Sequence, residues 1–355
     1  MDETSLMWLA LRERRGSVHN HSKFLKDSSA RRKTFAAAMQ QFEEQMTAAK
    51  VVTPATSPLN LYYGLAQAGM AIAAARTPRQ WSFSSHGVEL GDTQPDLPDI
   101  CVRPKQIKDG KGAFQMVASA TSSPGLTGPV SIGSLWASLP DLEEAPLPGT
   151  DHPVALVVSP DMRSPMTVGG GGLPNQTLYH EPPAVRIYIK GRMPDESGQE
   201  SWVKDLRVDY PTARSWVADP GGWQAYQPGN MVAGSMRMWL QGQTEKPLTD
   251  DDIGAIFDTL APQYRYRDDR YLRPSIEAGS GPPPSPLMTW WLLLYSFSML
   301  ARYQPRKWTD LLNLDKPGCA TQLQYALEVA RSAIPHLVLE ALDGRPMLLS
   351  KPMSF

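Results

Sequence analysis

The sequence predicts an α+β chain that is mainly α: a helical domain formed by both chain ends, with a loop-rich, β-containing insertion between them. Three observations carry this expectation. Long alanine-rich or uncharged runs with helical spacing fill residues 1–90 and 246–355. Short β-like runs separated by turn chemistry fill residues 91–245. The chain has 355 residues, of which 41% are hydrophobic and 20% charged, enough to bury a substantial core.

The first helix is expected over "TSLMWLALRERR", which has a capping residue, an apolar stretch and a basic end suited to the helix dipole. "SSARRKTFAAAMQQFEEQMTAAK" is rich in strong helix formers, and Phe35, Met39, Phe42 and Met46 recur at spacings of three and four on one face. "SPLNLYYGLAQAGMAIAAAR" begins with Ser57 and Pro58 and is uncharged from Leu59 to Ala75. It is expected in the core, where Gly64, Ala66, Ala68, Gly69, Ala71 and Ala73 let another helix approach closely.

Within the insertion, "AFQMVAS", "VALVVS", "AVRIYIK" and "MVAGSMRMWL" read as strands. The loops between them, "SSPGLTGP", "APLPGTDHP", "GGGGLPNQ" and "DPGGWQAYQPGN", hold many of the 33 prolines. Trp216, Trp223 and Trp239 are expected on surface loops there.

Helix is expected to return at Thr249, a capping residue followed by Asp250, Asp251 and Asp252. "LMTWWLLLYSFSMLARY" follows, with Ser285 as N-cap and Pro286 as first helical residue. Its uncharged run ends at Arg302, short of the roughly 20 apolar residues a spanning helix needs. The reading is a helix buried on nearly all sides and packed on the run from 58 to 76. "QPRKWTDLL" comes next, and then "CATQLQYALEVARSAIPHLVLEAL", where Pro335 is expected to kink the helix or begin a second one.

Net charge is −1, so no global field draws the chain to nucleic acid or anionic lipid. Two cysteines, Cys101 and Cys319, exclude a disulfide scaffold and favour a reducing compartment. The N-terminus starts acidic, with too short an apolar run for a signal peptide. The expectation is a cytoplasmic protein with no cofactor, no metal and no membrane association. Its partner is a second protein or a second copy of itself, with nucleic acid or a nucleotide as a further ligand class.

"SPLNLYYGLAQAGMAI", "SHGVEL", "YLRP", "SPLMTWWLLLYSFSMLARYQPRKW" and "IPHLVLEAL" together, in this order, resemble the YaaC-like protein family. The middle of the chain, residues 120–245, is expected to carry little of that resemblance, and the family supplies no catalytic residues. The tyrosine- and alanine-rich helices are also distantly similar to the HEPN superfamily of helical bundles. That likeness implies a homodimer or a heteromeric partner. It opens two functions: a metal-independent ribonuclease or a nucleotide-dependent effector.

Such ribonucleases carry an arginine followed a few residues later by a histidine. Arg331 and His336 offer that pair, with the histidine as general base on a ribose 2′-hydroxyl and the arginine against phosphorane charge. Arg14 and His19 repeat the spacing in a loop. A packed histidine and a helix-surface arginine read the same residues structurally. "YRYRDDRYLRP" sets Arg265, Arg267 and Arg270 among Tyr264 and Tyr266, forks for phosphate beside rings that stack on bases. Read structurally, Asp268 and Asp269 neutralise these arginines, and Arg273 belongs to the turn. Arg12 to Lys33 holds eight basic and two acidic residues, a solvated linker or a phosphate-facing stretch. His19 and His21 lack further ligands at metal spacing, and His86-Gly87 reads as a turn. Without a strong catalytic motif, the expected function is a non-catalytic interaction scaffold, a component of a bacterial defence or nucleic-acid-associated complex.

Overall fold

Two helices, α3 (Ser29–Val51) and α4 (Ser57–Arg76), form the hairpin on which the helical unit is built. The Ser28 hydroxyl caps α3 by accepting from the Arg31 amide at 3.3 Å. Phe35, Met39, Phe42 and Met46 are buried, as their spacing requires. Pro58 lies in the first turn of α4, whose N-cap is Thr56. Ser57 instead sits inside the helix and donates to the Ala49 carbonyl at the end of α3.

The structure, a computed structural model, describes residues 3–17, 22–78, 81–105, 112–161, 166–168, 176–179, 183–189, 194–226, 233–240, 248–249, 251–252, 255, 265–266, 269–276 and 281–344. Contacts divide the chain into two compact units. One comprises residues 1–153 with 283–355, the other Val154–Pro282. The insertion expected over 91–245 therefore has other bounds. Residues 91–153 belong to the helical unit because their short elements pack on its helices: α5 (Ala113–Ala120) on α4, and α6 (Ile132–Ala137) on the helix Pro286–Tyr303.

In the helical unit, α1 (Glu3–Gly16) and α2 (Lys23–Lys26) precede the hairpin. Strands β1 (Val88–Leu90), β2 (Cys101–Pro104) and β3 (Val130–Ser131) form a small antiparallel sheet. After the second unit come α8 (Pro286–Tyr303), α9 (Pro305–Leu311) and α10 (Ala320–Asp343). As expected, α8 packs on α4 and is buried almost all round. A Cβ on Gly69 would lie 2.5 Å from Cζ3 of Trp291, so only glycine admits the indole against α4. Among the described residues, no helix is long and apolar enough to cross a membrane.

One local expectation is corrected and two are refined. "AFQMVAS" is helix α5, not a strand: Ala113, Phe114, Val117 and Ala118 are buried, a helical rather than alternating pattern. Ser285 occupies the N-cap of α8, but its hydroxyl makes no capping bond. Its amide instead donates to Ser123 Oγ at 2.8 Å. Helix α10 runs unbroken through Pro335, which is buried within it, and ends at Gly344 in the left-handed region (φ +69°). Arg76 donates to the carbonyls of Ala341 and Ala120, joining the ends of α10 and α5.

The basic stretch from Arg12 to Lys33 is largely tied down. Arg14 makes two parallel bonds, 2.9 and 3.0 Å long, to the Asp343 carboxylate, and Arg12 pairs with Glu43. Arg31 donates to the Ala74 and Thr77 carbonyls, and Arg32 to those of Leu25 and Lys26. His19 and His21 lie outside the described residues.

The second unit contains β4 (Leu156–Pro160), β5 (Met166–Val168), β6 (Gln176–Tyr179), β7 (Ala184–Ile189), α7 (Gln199–Asp209), β8 (Val217–Ala218), β9 (Gln224–Tyr226), β10 (Ala233–Trp239), β11 (Leu248–Thr249), β12 (Arg265–Tyr266) and β13 (Asp269–Leu272). Its larger sheet is antiparallel, in the order β12-β13-β4-β7-β10-β8, with β9 also on β10. Leu156, Val158, Val185, Ile187, Met236, Met238 and Leu272 line one face, in a cluster with Val203, Leu206 and Tyr210. Trp216 belongs to this core, Trp223 packs against it, and Trp239 lies in β10, so these tryptophans do not stand on surface loops. The smaller sheet runs β11-β6-β5. Thr249 and Asp252 exchange hydrogen bonds as a capping box, while most of the helix expected after them lies outside the described residues.

Candidate functional site

The expected catalytic pair is not brought together. Arg331 and His336 share α10, but five residues of helix set them about 140° apart around its axis. The Arg331 guanidinium pairs with Glu328 at 2.5 Å and donates to Ser57 Oγ at 3.3 Å. His336 is only 5% exposed, with Nδ1 3.3 Å from the Ser332 carbonyl of the preceding turn. In the arginine-tyrosine segment, the backbone of Arg265 and Tyr266 pairs with Arg270 and Asp269 as a hairpin. Arg270 is half-buried and partnered. Tyr264, Arg267 and Asp268 lie outside the described residues. Arg273 is buried and partnered, and desolvation pushes its pKa down to about 9.

Two polar clusters went unnoticed in the sequence. The first lies on the sheet face opposite the apolar cluster of the second unit. Arg186 and Arg237 stand directly opposite each other on β7 and β10. Arg186 pairs with Asp161 and donates to Ser235 Oγ at 3.0 Å, and Arg237 donates to Asp219 at 2.8 Å. The Asp219 turn approaches β10 so closely that a Cβ on Gly222 would lie 2.8 Å from the Arg237 carbonyl. These charges offset one another: two arginines meet two aspartates.

The second cluster surrounds His86 in the helical unit. Gly87 follows it with φ +84°, where a side chain would collide with Gln115 Oε1, so the predicted turn is real. That turn brings the imidazole to Tyr62 of α4, with Nδ1 2.8 Å from the phenolic oxygen. The rings of Tyr62 and Tyr295 lie 5.5 and 5.6 Å from the imidazole, and Trp291 meets Tyr62 edge-on. Arg302, at the end of α8, donates to Tyr63 Oη at 3.0 Å.

The electrostatics follow from this placement. Burial, reinforced by Tyr295 and Tyr63, holds the Tyr62 phenol far above its ordinary pKa, so it keeps its proton. A buried hydroxyl proton needs an acceptor, and among the described residues His86 Nδ1 is the one given to it. The imidazole therefore carries its own proton on Nε2, the edge turned away from Tyr62. Burial, Arg302 and Lys105 lower the His86 pKa, in that order, so the ring is neutral at pH 7. The imidazole remains substantially exposed, and Tyr63 is 38% exposed beside it.

Segments from "SPLNLYYGLAQAGMAI", "SHGVEL" and "SPLMTWWLLLYSFSMLARY" thus converge on one surface. The model of the YaaC-like protein family matches residues 11–201 and 225–342. The chain belongs to this family. No curated protein and no solved structure matches it. The YaaC-like match extends through much of the middle of the chain, which the sequence was expected to leave largely outside it.

No group of three or more His, Cys, Asp or Glu suited to a metal occurs among the described residues. Burial raises the thiol pKa of both Cys101 and Cys319, which keeps these thiols protonated. Sequence reasoning took His86 for a turn and passed over Tyr62, Tyr63, Tyr295 and Arg302. The available signal was that all five fall inside the family-like segments.

Proposed function

We propose that this YaaC-like chain is a non-catalytic interaction protein of the bacterial cytoplasm, a helical scaffold that works within a defence or nucleic-acid-associated complex. The observation that carries the reading is the commitment of Arg331 and His336. A general base needs an accessible nitrogen within reach of the same phosphodiester that the arginine contacts. His336 is buried against its own helix, and Arg331 is held by Glu328 and Ser57. The partner is another protein or a second copy of this chain.

The test is a cleavage assay on labelled single-stranded RNA in the presence of a chelator, run beside sedimentation of the full chain alone. The reading expects no cleavage product above that of the His336→Ala variant. Cleavage by the wild type that disappears in both Arg331→Ala and His336→Ala overturns it in favour of a HEPN-like ribonuclease.

A further inference from the structure

We propose that the His86 surface is a binding site for a phosphate-type oxyanion, held by the outward Nε2–H of His86 with the side chains of Arg302 and Lys105. The hydrogen bond from Tyr62 carries the argument. A surface histidine ordinarily exchanges between two tautomers, and either ring nitrogen is then free to donate or accept. Here the buried Tyr62 hydroxyl occupies Nδ1, which fixes Nε2 as a donor. That nitrogen has no partner among the described residues. A fixed donor on a neutral ring suits an acceptor ligand and disfavours a metal ion, which would need a lone pair at the same atom.

The sign of the surroundings agrees. The charged groups that bear on the imidazole are Arg302, on α8, and Lys105, which follows β2. Both are cations, and both oppose its protonation. The phenols that pack on it, Tyr62 and Tyr295, keep their protons and add no negative charge. Glu89, the carboxylate that bears on Tyr295, is tied to Arg103 at 2.8 Å. Arg302 is oriented by Tyr63, so the guanidinium is already placed before a ligand arrives. Two sources supply this ligand chemistry: free inorganic phosphate, and the phosphate of a nucleotide whose base lies on the exposed Tyr63 ring.

The proposal stands apart from the scaffold reading, since RNA cleavage would overturn that reading without touching a phosphate titration here. The experiment is a calorimetric titration of the full chain with inorganic phosphate and, separately, with adenosine monophosphate, at constant ionic strength with chloride as the reference anion. Histidine ring nitrogens are followed by NMR in parallel. The wild type is expected to show His86 protonated at Nε2, with that resonance moving as phosphate is added. Arg302→Met lies on the surface, leaves the fold intact and should weaken binding at least tenfold. Tyr62→Phe should mix the two His86 tautomers and weaken binding severalfold. Tenfold tighter binding of the mononucleotide than of phosphate supports the site and assigns the nucleotide, and equal binding supports it with free phosphate. A wild-type His86 protonated at Nδ1, no binding beyond chloride, or an affinity unchanged in Arg302→Met each overturns the proposal.

Discussion

The two units bury polar groups by different means. Among the described residues of the helical unit, the buried polar side chains are hydroxyls and one histidine: Ser57, Ser138, Thr289, Ser296, Ser298 and His336. Most are satisfied within a few residues. Ser296 donates to the Leu292 carbonyl and Ser298 to that of Tyr295, both at 2.8 Å. In the second unit the buried polar groups include full charges, namely Arg186, Asp219, Arg237 and Arg273. Arg186, Asp219 and Arg237 pair with residues from other strands or the segments that follow them. A helix offers each buried hydroxyl a carbonyl one turn back, already held by the backbone ladder and able to accept a second bond. A sheet's carbonyls point sideways into neighbouring strands, so a buried side chain between strands must find its partner far away in sequence. Burying charge therefore couples distant strands, whereas most buried hydroxyls of the helices bond locally; Ser57, which joins α4 to Ala49 of α3 and Arg331 of α10, bonds across helices instead.

Four substitutions break or sharpen this contrast, and the largest effect is at Trp291. Its side chain is fully buried between α8 and α4, and Trp291→Asp places an unpaired charge there. The loss should exceed about 4 kcal/mol and abolish soluble expression. A soluble variant with a wild-type melting curve would mean that the core lies elsewhere.

Arg237→Met tests the sheet. Arg237 is 1% exposed, and its removal leaves the buried Asp219 carboxylate without this cation. The expected loss is about 3–5 kcal/mol, read as faster amide exchange in β7 and β10. Adding Asp219→Asn should restore part of that loss. If the double variant is no better than the single, the two residues are not coupled and the contrast fails.

Gly69→Ala gives an intermediate effect in the helical unit. The new methyl would lie 2.5–2.6 Å from the Trp291 ring and 2.9 Å from Val117 Cγ2. Overpacking of this kind costs about 1–3 kcal/mol, measured as a lowered melting temperature. Ser296→Ala should be nearly silent, within about 0.5 kcal/mol, because Leu292 keeps its backbone bond and alanine favours helix. A large loss there would erase the distinction between the units.

The same difference governs what could be read from the sequence. Helices α3, α4, α8 and α10 announce themselves locally, through stripes, Ser-Pro starts and uncharged runs, since the signal and the packed face share one short segment. "AFQMVAS" misled because a brief apolar run fits either period, and only its packing on α4 decides for helix. Strands β4, β7 and β10 were legible as strands. Arg186 and Arg237 within them were not legible as buried, because Asp161, just after β4, and Asp219, at the turn after β8, come from elsewhere in the chain. The turn at His86-Gly87 was legible, but its purpose was not, since Tyr62, Tyr295 and Arg302 come from two helices far apart in sequence. Arg331 and His336 were close in sequence and far apart around the helix, which proximity along the chain does not reveal.

The helical unit is assembled from two separated stretches of chain, and this has a consequence for synthesis. Helix α4 is apolar on nearly every side, yet α8, one of the helices that cover it, is encoded only after the whole second unit. At ~5–20 residues per second, making residues 77–285 takes about 10–40 s. For that interval the face of α4 that receives Trp291, at Tyr62 and Gly69, waits without the helix that covers it. The chain thus asks for a holding chaperone early in its life, and a circular permutant that joins residues 283–344 directly to 3–153 would remove the wait.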